Sequence, residues 1–240
     1  MAQHDDISAV GAIADDARRE LYAYVVAQPG PVGREEAADA LGMPVHRARF
    51  HLERLEQAGL LETDYARPPG RSGPGAGRPA KRYRRAARDV AVSLPQREYD
   101  LAGSLLATAI DAAAATGEQV TDAVARVAAA RGRELGGAAG AAREPGDAAR
   151  DAAGTADPLD AAAAVLADHG YEPRRTERGI ELANCPFHAL AREHTTLVCG
   201  MNAALLEGVA EAVAPGALRA RLDPAPGRCC VVIEPHASAD

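Results

Sequence analysis

Leu41 to Arg85 reads LGMPVHRARFHLERLEQAGLLETDYARPPGRSGPGAGRPAKRYRR. From Val45 to about Ala58 the apolar residues Val45, Ala48, Leu52 and Leu55 recur at three- and four-residue steps, which predicts a helix with one buried face. His46, Arg47, Arg49, Phe50 and His51 cannot all be buried with that face, and Arg47 and Arg49 fall in the first turns of a helix that follows a tight turn. This is where a recognition helix meets base edges and phosphates. Upstream, Leu21, Tyr24 and Val25 share one face of a helix over Ala17 to Ala27, which Gln28-Pro29-Gly30-Pro31 stops because proline offers no N–H and biases its predecessor away from the helix. A short helix from Arg34 to Leu41 ends at Gly42, a residue that tolerates the left-handed stop. Pro44 suits the first turn of the next helix.

Downstream, Leu60 to Tyr65 is apolar enough for a strand and Lys81 to Arg85 supplies a partner, with a Gly/Pro/Arg loop between them. The order is helix, turn, helix, wing. Met43 to Arg88 holds eleven Lys or Arg and four acids, a charge of +7 inside a chain of −7, so the remainder carries −14. Cationic charge gathered on the helix and wing is the footprint of a phosphate-binding surface. The candidate DNA-binding residues are His46, Arg47, Arg49, His51, Arg71, Arg78, Lys81 and Arg82, with Arg78 placed to enter a narrow minor groove. The bland alternative is a solvated charge run or an Arg-rich linker, and the ordered succession of elements argues against it. Gly73, Gly75 and Gly77 imitate a nucleotide-binding loop, but no apolar strand leads in and no capped helix follows.

The 240 residues allow one large or two modest domains, and 47% apolar content supports real cores. Aromatics are only 3% and Trp is absent, so helix contacts must be close and bury little area each, which makes dimerisation a natural source of stability. No basic-then-apolar leader and no apolar run near eighteen residues are read, so a cytoplasmic protein without a membrane partner is expected.

The expected fold is α+β and mainly helical. A winged helix-turn-helix spans 1–92 and a helical dimerisation region 93–135. In the latter Leu101, Leu105, Leu106, Ala109 and Ile110 line one helix and Val120, Val124 and Val127 a second. Residues 136–156 read as a flexible Ala/Gly linker, lacking periodic large apolar residues. A small α+β domain fills 157–240, opening with Asp157 as N-cap and Pro158 at the first helical position.

All four cysteines lie in this last segment: Cys185, Cys199, Cys229 and Cys230. In a reducing compartment they point to metal binding, redox chemistry or plain burial rather than a disulfide framework. There is no C-x-x-C pair, which argues against a standard zinc ribbon or finger, whereas a cage drawn from three elements suits soft thiolates. Cys185, Cys199 and Cys229 form the expected ligand set, with Cys230, His188 or His194 as fourth-ligand candidates. Buried thiols explain the same positions without any metal. An enzyme pairing Cys185 or Cys199 with His188 or His194 is a further reading, but no acid or oxyanion signature frames either pair, and no enzyme activity is expected.

Four blocks carry a resemblance to a known group: LGMPVHRARFHLERLEQAGLLE (Leu41–Glu62), GPGAGRPAKRYR (Gly73–Arg84), NCPFHALAREHTTLVCGMNAALLEG (Asn184–Gly208) and PGRCCVVI (Pro226–Ile233). With these the chain resembles the bacterial SufR-like regulators, near the ArsR and DeoR winged-helix repressors. The resemblance implies a dimeric repressor of iron-sulfur cluster assembly genes that binds an operator in double-stranded DNA and carries a 4Fe-4S cluster. It maps the ligands onto Cys185, Cys199 and the Cys229-Cys230 pair. The competing expectation is a winged-helix regulator that senses zinc or a small molecule, with structural cysteines.

Overall fold

The computed structural model describes residues 2–66, 79–142 and 157–236. Arg71, Arg78 and the Gly73 to Gly77 loop lie outside the described residues, as do 143–156 of the expected linker. The chain divides into two units, Met1–Val92 and Ser93–Asp240.

In the first unit α1 (Ala2–Ile13), which the sequence reading did not anticipate, precedes α2 (Asp16–Ala27). Asp15 caps α2 by accepting a hydrogen bond from the Arg18 N–H at 3.0 Å. Then come β1 (Val32–Gly33), α3 (Arg34–Ala40) and α4 (Val45–Gln57). Gly42 and Gly59 end the latter two helices at φ of 62° and 69°, a conformation costly for any residue with a Cβ. Next, β2 (Leu61–Ala66) pairs antiparallel with β3 (Ala80–Arg85) over six residue pairs, and β1 adds to the other edge of β3. Tyr83 lies opposite both Thr63 and Val32 and is buried under the helices with Leu21, Val25, Leu52 and Leu55.

The face of α4 differs in two positions from the expected stripe. Val45 is 38% exposed, and His51 takes the inward place beside Ala48, Leu52 and Leu55. The reason is register: positions 48, 51, 52 and 55 are the i, i+3, i+4, i+7 set of one face, while Val45 sits at the very start, where the chain enters from Pro44.

The second unit has one core shared by α5 (Tyr99–Thr116), α6 (Val120–Ala142), α7 (Pro158–Asp168), α8 (His188–Glu193), α9 (Thr195–Val213) and a sheet. The sheet is antiparallel, in the order β4 (Pro173–Thr176), β5 (Gly179–Leu182), β7 (Val231–Pro235), β6 (Leu218–Leu222). Residues 93–135 share this core with 157–236, and helix α6 continues through residues 136–142, the start of the stretch read as a linker. The physical cause is small-residue packing. A Cβ on Gly132 would lie 1.9 Å from the Leu205 carbonyl oxygen, one on Gly136 2.8 Å from the Ala212 Cβ, and one on Gly208 2.1 Å from the Ala129 carbonyl oxygen. Glycines and alanines here allow α6 and α9 to pack backbone against backbone. By length and hydropathy α9 meets the test for a membrane-crossing helix, but half of it is buried in this core.

Candidate nucleic-acid interface and thiol cluster

Helix α4 presents His46, Arg47, Arg49 and Phe50 outward while Ala48, Leu52 and Leu55 hold it to the core. Its first turn contains no acid. Cations there oppose the positive end of the helix dipole at a cost of about 0.3–1 kcal/mol, which a bound phosphate would reverse in sign. A local rule broken at an exposed helix start is a mark of function.

The cations are not equally available. Arg49 Nε donates to Glu53 Oε1 at 2.8 Å, Lys81 pairs with Glu56, and Arg82 makes two hydrogen bonds of 3.0 Å to Asp64. Arg84 pairs with Glu62 at 2.8 Å. Glu56 also accepts from Thr63 Oγ1 at 3.0 Å, so α4, β2 and β3 are joined through one carboxylate. Among the described residues, the His46 and Arg47 side chains make no ion pair and no hydrogen bond.

His51, one of the expected DNA contacts, is 7% exposed, and among the described residues its Nδ1 has no hydrogen-bond partner. Asp15 stands 4.0 Å away and favours the protonated ring. Burial outweighs that attraction, and Arg18 and Arg47 add repulsion, so the His51 pKa lies below its ordinary 6.5. With the folded pKa depressed, the unfolded chain binds the proton first, so stability is complete above pH 6.5 and is lost as pH falls through the folded value. Melting of the first unit should therefore drop more steeply below pH 6.5 in the wild type than in His51→Phe. Equal pH slopes would show that His51 does not carry the effect.

In the second unit the four cysteines come from three segments to one place. Cys185 follows β5, Cys199 lies on α9, and Cys229 and Cys230 lead into β7. The Cys199 and Cys230 sulfurs are 3.2 Å apart. Asn202, one turn along α9 from Cys199, donates through Nδ2 to the Cys229 sulfur at 3.3 Å and accepts from the buried Tyr171 hydroxyl at 2.6 Å. Arg97 Nη1 donates to both the Cys185 carbonyl and Asn184 Oδ1 at 2.7 Å, while Asn184 Nδ2 donates to the Gly170 carbonyl at 2.6 Å. These bonds hold the Cys185 loop in place.

A hydrogen bond from the Cys229 thiol, helped by the Phe187 N–H and the Arg97 guanidinium, lowers the Cys185 thiol to about 7 against the opposing effect of burial. The same bond and burial push Cys229 up, and burial with the neighbouring Cys230 raises Cys199 to about 12. The four thus stand as two pairs, 185 with 229 and 199 with 230. Among the described residues, no set of three or more His, Cys, Asp or Glu side chains is arranged to hold a metal ion. His188 and His194 are exposed. Sequence reasoning missed Arg97, Asn184, Asn202 and Tyr171. The available signal was an asparagine within the apolar face of α9, three residues from Cys199.

Residues 13–64 match the helix-turn-helix domain family, the span that runs from the end of α1 to β2. No curated protein and no solved structure matches the chain. The first unit is thus of the helix-turn-helix class. That match supports a DNA-binding transcriptional regulator of winged-helix type, with double-stranded DNA as its partner.

Proposed function

We propose that the chain is a homodimeric repressor that binds a DNA operator through α4 and its wing, and whose DNA affinity is set by a 4Fe-4S cluster held by the second unit. The observation that supports the cluster reading is that all four cysteines of the chain lie in the second unit, on three separate segments, as two close pairs. Soft thiolates are the donor set such clusters take. The fit rests on that donor chemistry rather than on a preformed cage. Cys185, Cys199, Cys229 and Cys230 would be the ligands, and when bound the group would supply iron–thiolate bonds linking the Cys185 loop, α9 and the segment before β7. Arg97 and Asn184 orient the Cys185 loop, and Asn202 orients the Cys229 sulfur. In this reading the regulated genes are those of iron-sulfur cluster assembly. Regulation requires that loaded and stripped protein differ in operator affinity, since only a differential interaction couples two sites.

The test is protein purified without oxygen, with absorption spectrum, iron and sulfide counts, and gel-shift affinity before and after chelation. Expected are broad visible absorption that bleaches in air, about four irons per chain, and a shift in DNA affinity on removal. Equal affinities would remove the coupling, and a colourless protein that resists reconstitution would remove the cluster. A second reading, a regulator sensing zinc or a small molecule, is favoured by an open groove of about 630 Å³ between α5 and α6, lined by Leu101, Ser104, Thr108, Arg126, Arg131 and Glu134. It predicts the colourless protein with full DNA binding.

A further inference from the structure

We infer that Cys199 and Cys230 close to an intramolecular disulfide under peroxide, making the second unit a thiol redox switch. The two sulfurs stand 3.2 Å apart, against about 2.05 Å in a disulfide, so closure asks for about an ångström of movement. The partners sit on different elements: Cys199 is fixed on α9, whereas Cys230 lies in the short segment that precedes β7. Access is also unequal. Cys230 is half-buried and meets solvent, while Cys199 is buried directly behind it. A thiol that meets solvent, backed by a buried one, is the arrangement of a peroxide-reacting cysteine with its resolving partner. Cys229, next in the chain, is 2% exposed and its sulfur is held by Asn202 and Cys185 instead.

The chemistry balances with hydrogen peroxide as the oxidant. The Cys230 thiol takes one oxygen to become a sulfenic acid and one water leaves. The Cys199 sulfur then attacks the Cys230 sulfur, the S–S bond forms as the S–O bond breaks, and the departing hydroxide leaves with the Cys199 proton as a second water. Two electrons pass from the sulfurs to the peroxide. The regulatory consequence rests on the cluster reading: a closed Cys199–Cys230 bond removes two of the four proposed ligands, so oxidised protein cannot be reloaded until a thiol reductant reopens it. The disulfide itself does not depend on that reading.

The experiment uses the full-length chain, chelator-treated and fully reduced, then exposed to hydrogen peroxide and alkylated. The free-thiol count should fall from four to two with the loss of two hydrogens in mass. Tryptic peptides 193–219 and 229–240 should be joined. The joint should persist in Cys229→Ser and vanish in Cys230→Ser and Cys230→Ala. A link from peptide 179–192, a link lost in Cys229→Ser, or four thiols surviving as such would overturn the proposal. Reconstitution with iron and sulfide, before and after peroxide, separates the two readings. Loading that fails only in the oxidised sample supports both. A disulfide that forms in a chain that never loads iron sustains the switch and sinks the cluster.

Discussion

Gly132→Ala and Gly208→Ala should each destabilise the second unit by about 3 kcal/mol, the upper end of the usual cost of overpacking, lowering its melting temperature by roughly 6–12 °C in a unit of this size. A methyl at Gly132 would stand 1.9 Å from the Leu205 carbonyl oxygen, and one at Gly208 2.1 Å from that of Ala129. Neither obstacle is a flexible side chain that can swing away. Both are helix backbone, so α6 and α9 must move apart and the core they share with the sheet must loosen. Another glycine of α6 provides the control. A Cβ on Gly137 meets nothing within 4 Å, so Gly137→Ala should stabilise by about 0.5–1 kcal/mol through helix propensity alone. Thermal melts of the three variants decide it, and a Gly132→Ala protein as stable as Gly137→Ala would show that α6 and α9 do not pack as described.

Arg47→Ala should lose about ten- to hundredfold in affinity for a duplex selected by the wild-type protein from a random pool, the range for one base or phosphate contact. Among the described residues Arg47 makes no ion pair, so nothing has to be broken before it engages DNA. Arg82 must first give up two hydrogen bonds to Asp64, and Arg49 one to Glu53. Arg82→Ala is therefore expected to cost less. Its loss should also weaken the β2–β3 pairing across Asp64 and Arg82. Titrations over a range of salt separate two roles for Arg47. Uniform weakening across sequences with a salt slope smaller by about one means a phosphate contact, and relaxed selectivity means a base contact. Unchanged affinity and unchanged slope would take α4 out of the DNA interface.

Local signals carried the first unit. The three-and-four spacing of Leu52 and Leu55, the glycines at 42 and 59, and the excess of arginine over acid are all short-range, and each has one structural meaning. Helix α1 escaped because its sequence has almost no apolar face, and the burial of His51 escaped because charge was read without the exact register of the helix. In the second unit, composition misled. A run of Gly and Ala looks like a linker when read alone, and its meaning depends on whether another backbone approaches it.

By itself the sequence determined what neighbours along the chain decide: the helix-turn-helix with its strand pair, the cationic surface, and the presence of four thiols in the second unit. Only the tertiary structure decided which groups meet across distance. It set α6 against α9 through Gly132, Gly136 and Gly208, paired Cys199 with Cys230 and Cys185 with Cys229, and assigned carboxylate partners to Lys81 and Arg82 while leaving Arg47 without one among the described residues. The reason is that periodicity fixes the face on which a side chain stands, whereas a contact between residues 31 positions apart, such as Cys199 and Cys230, is fixed only when the whole core closes.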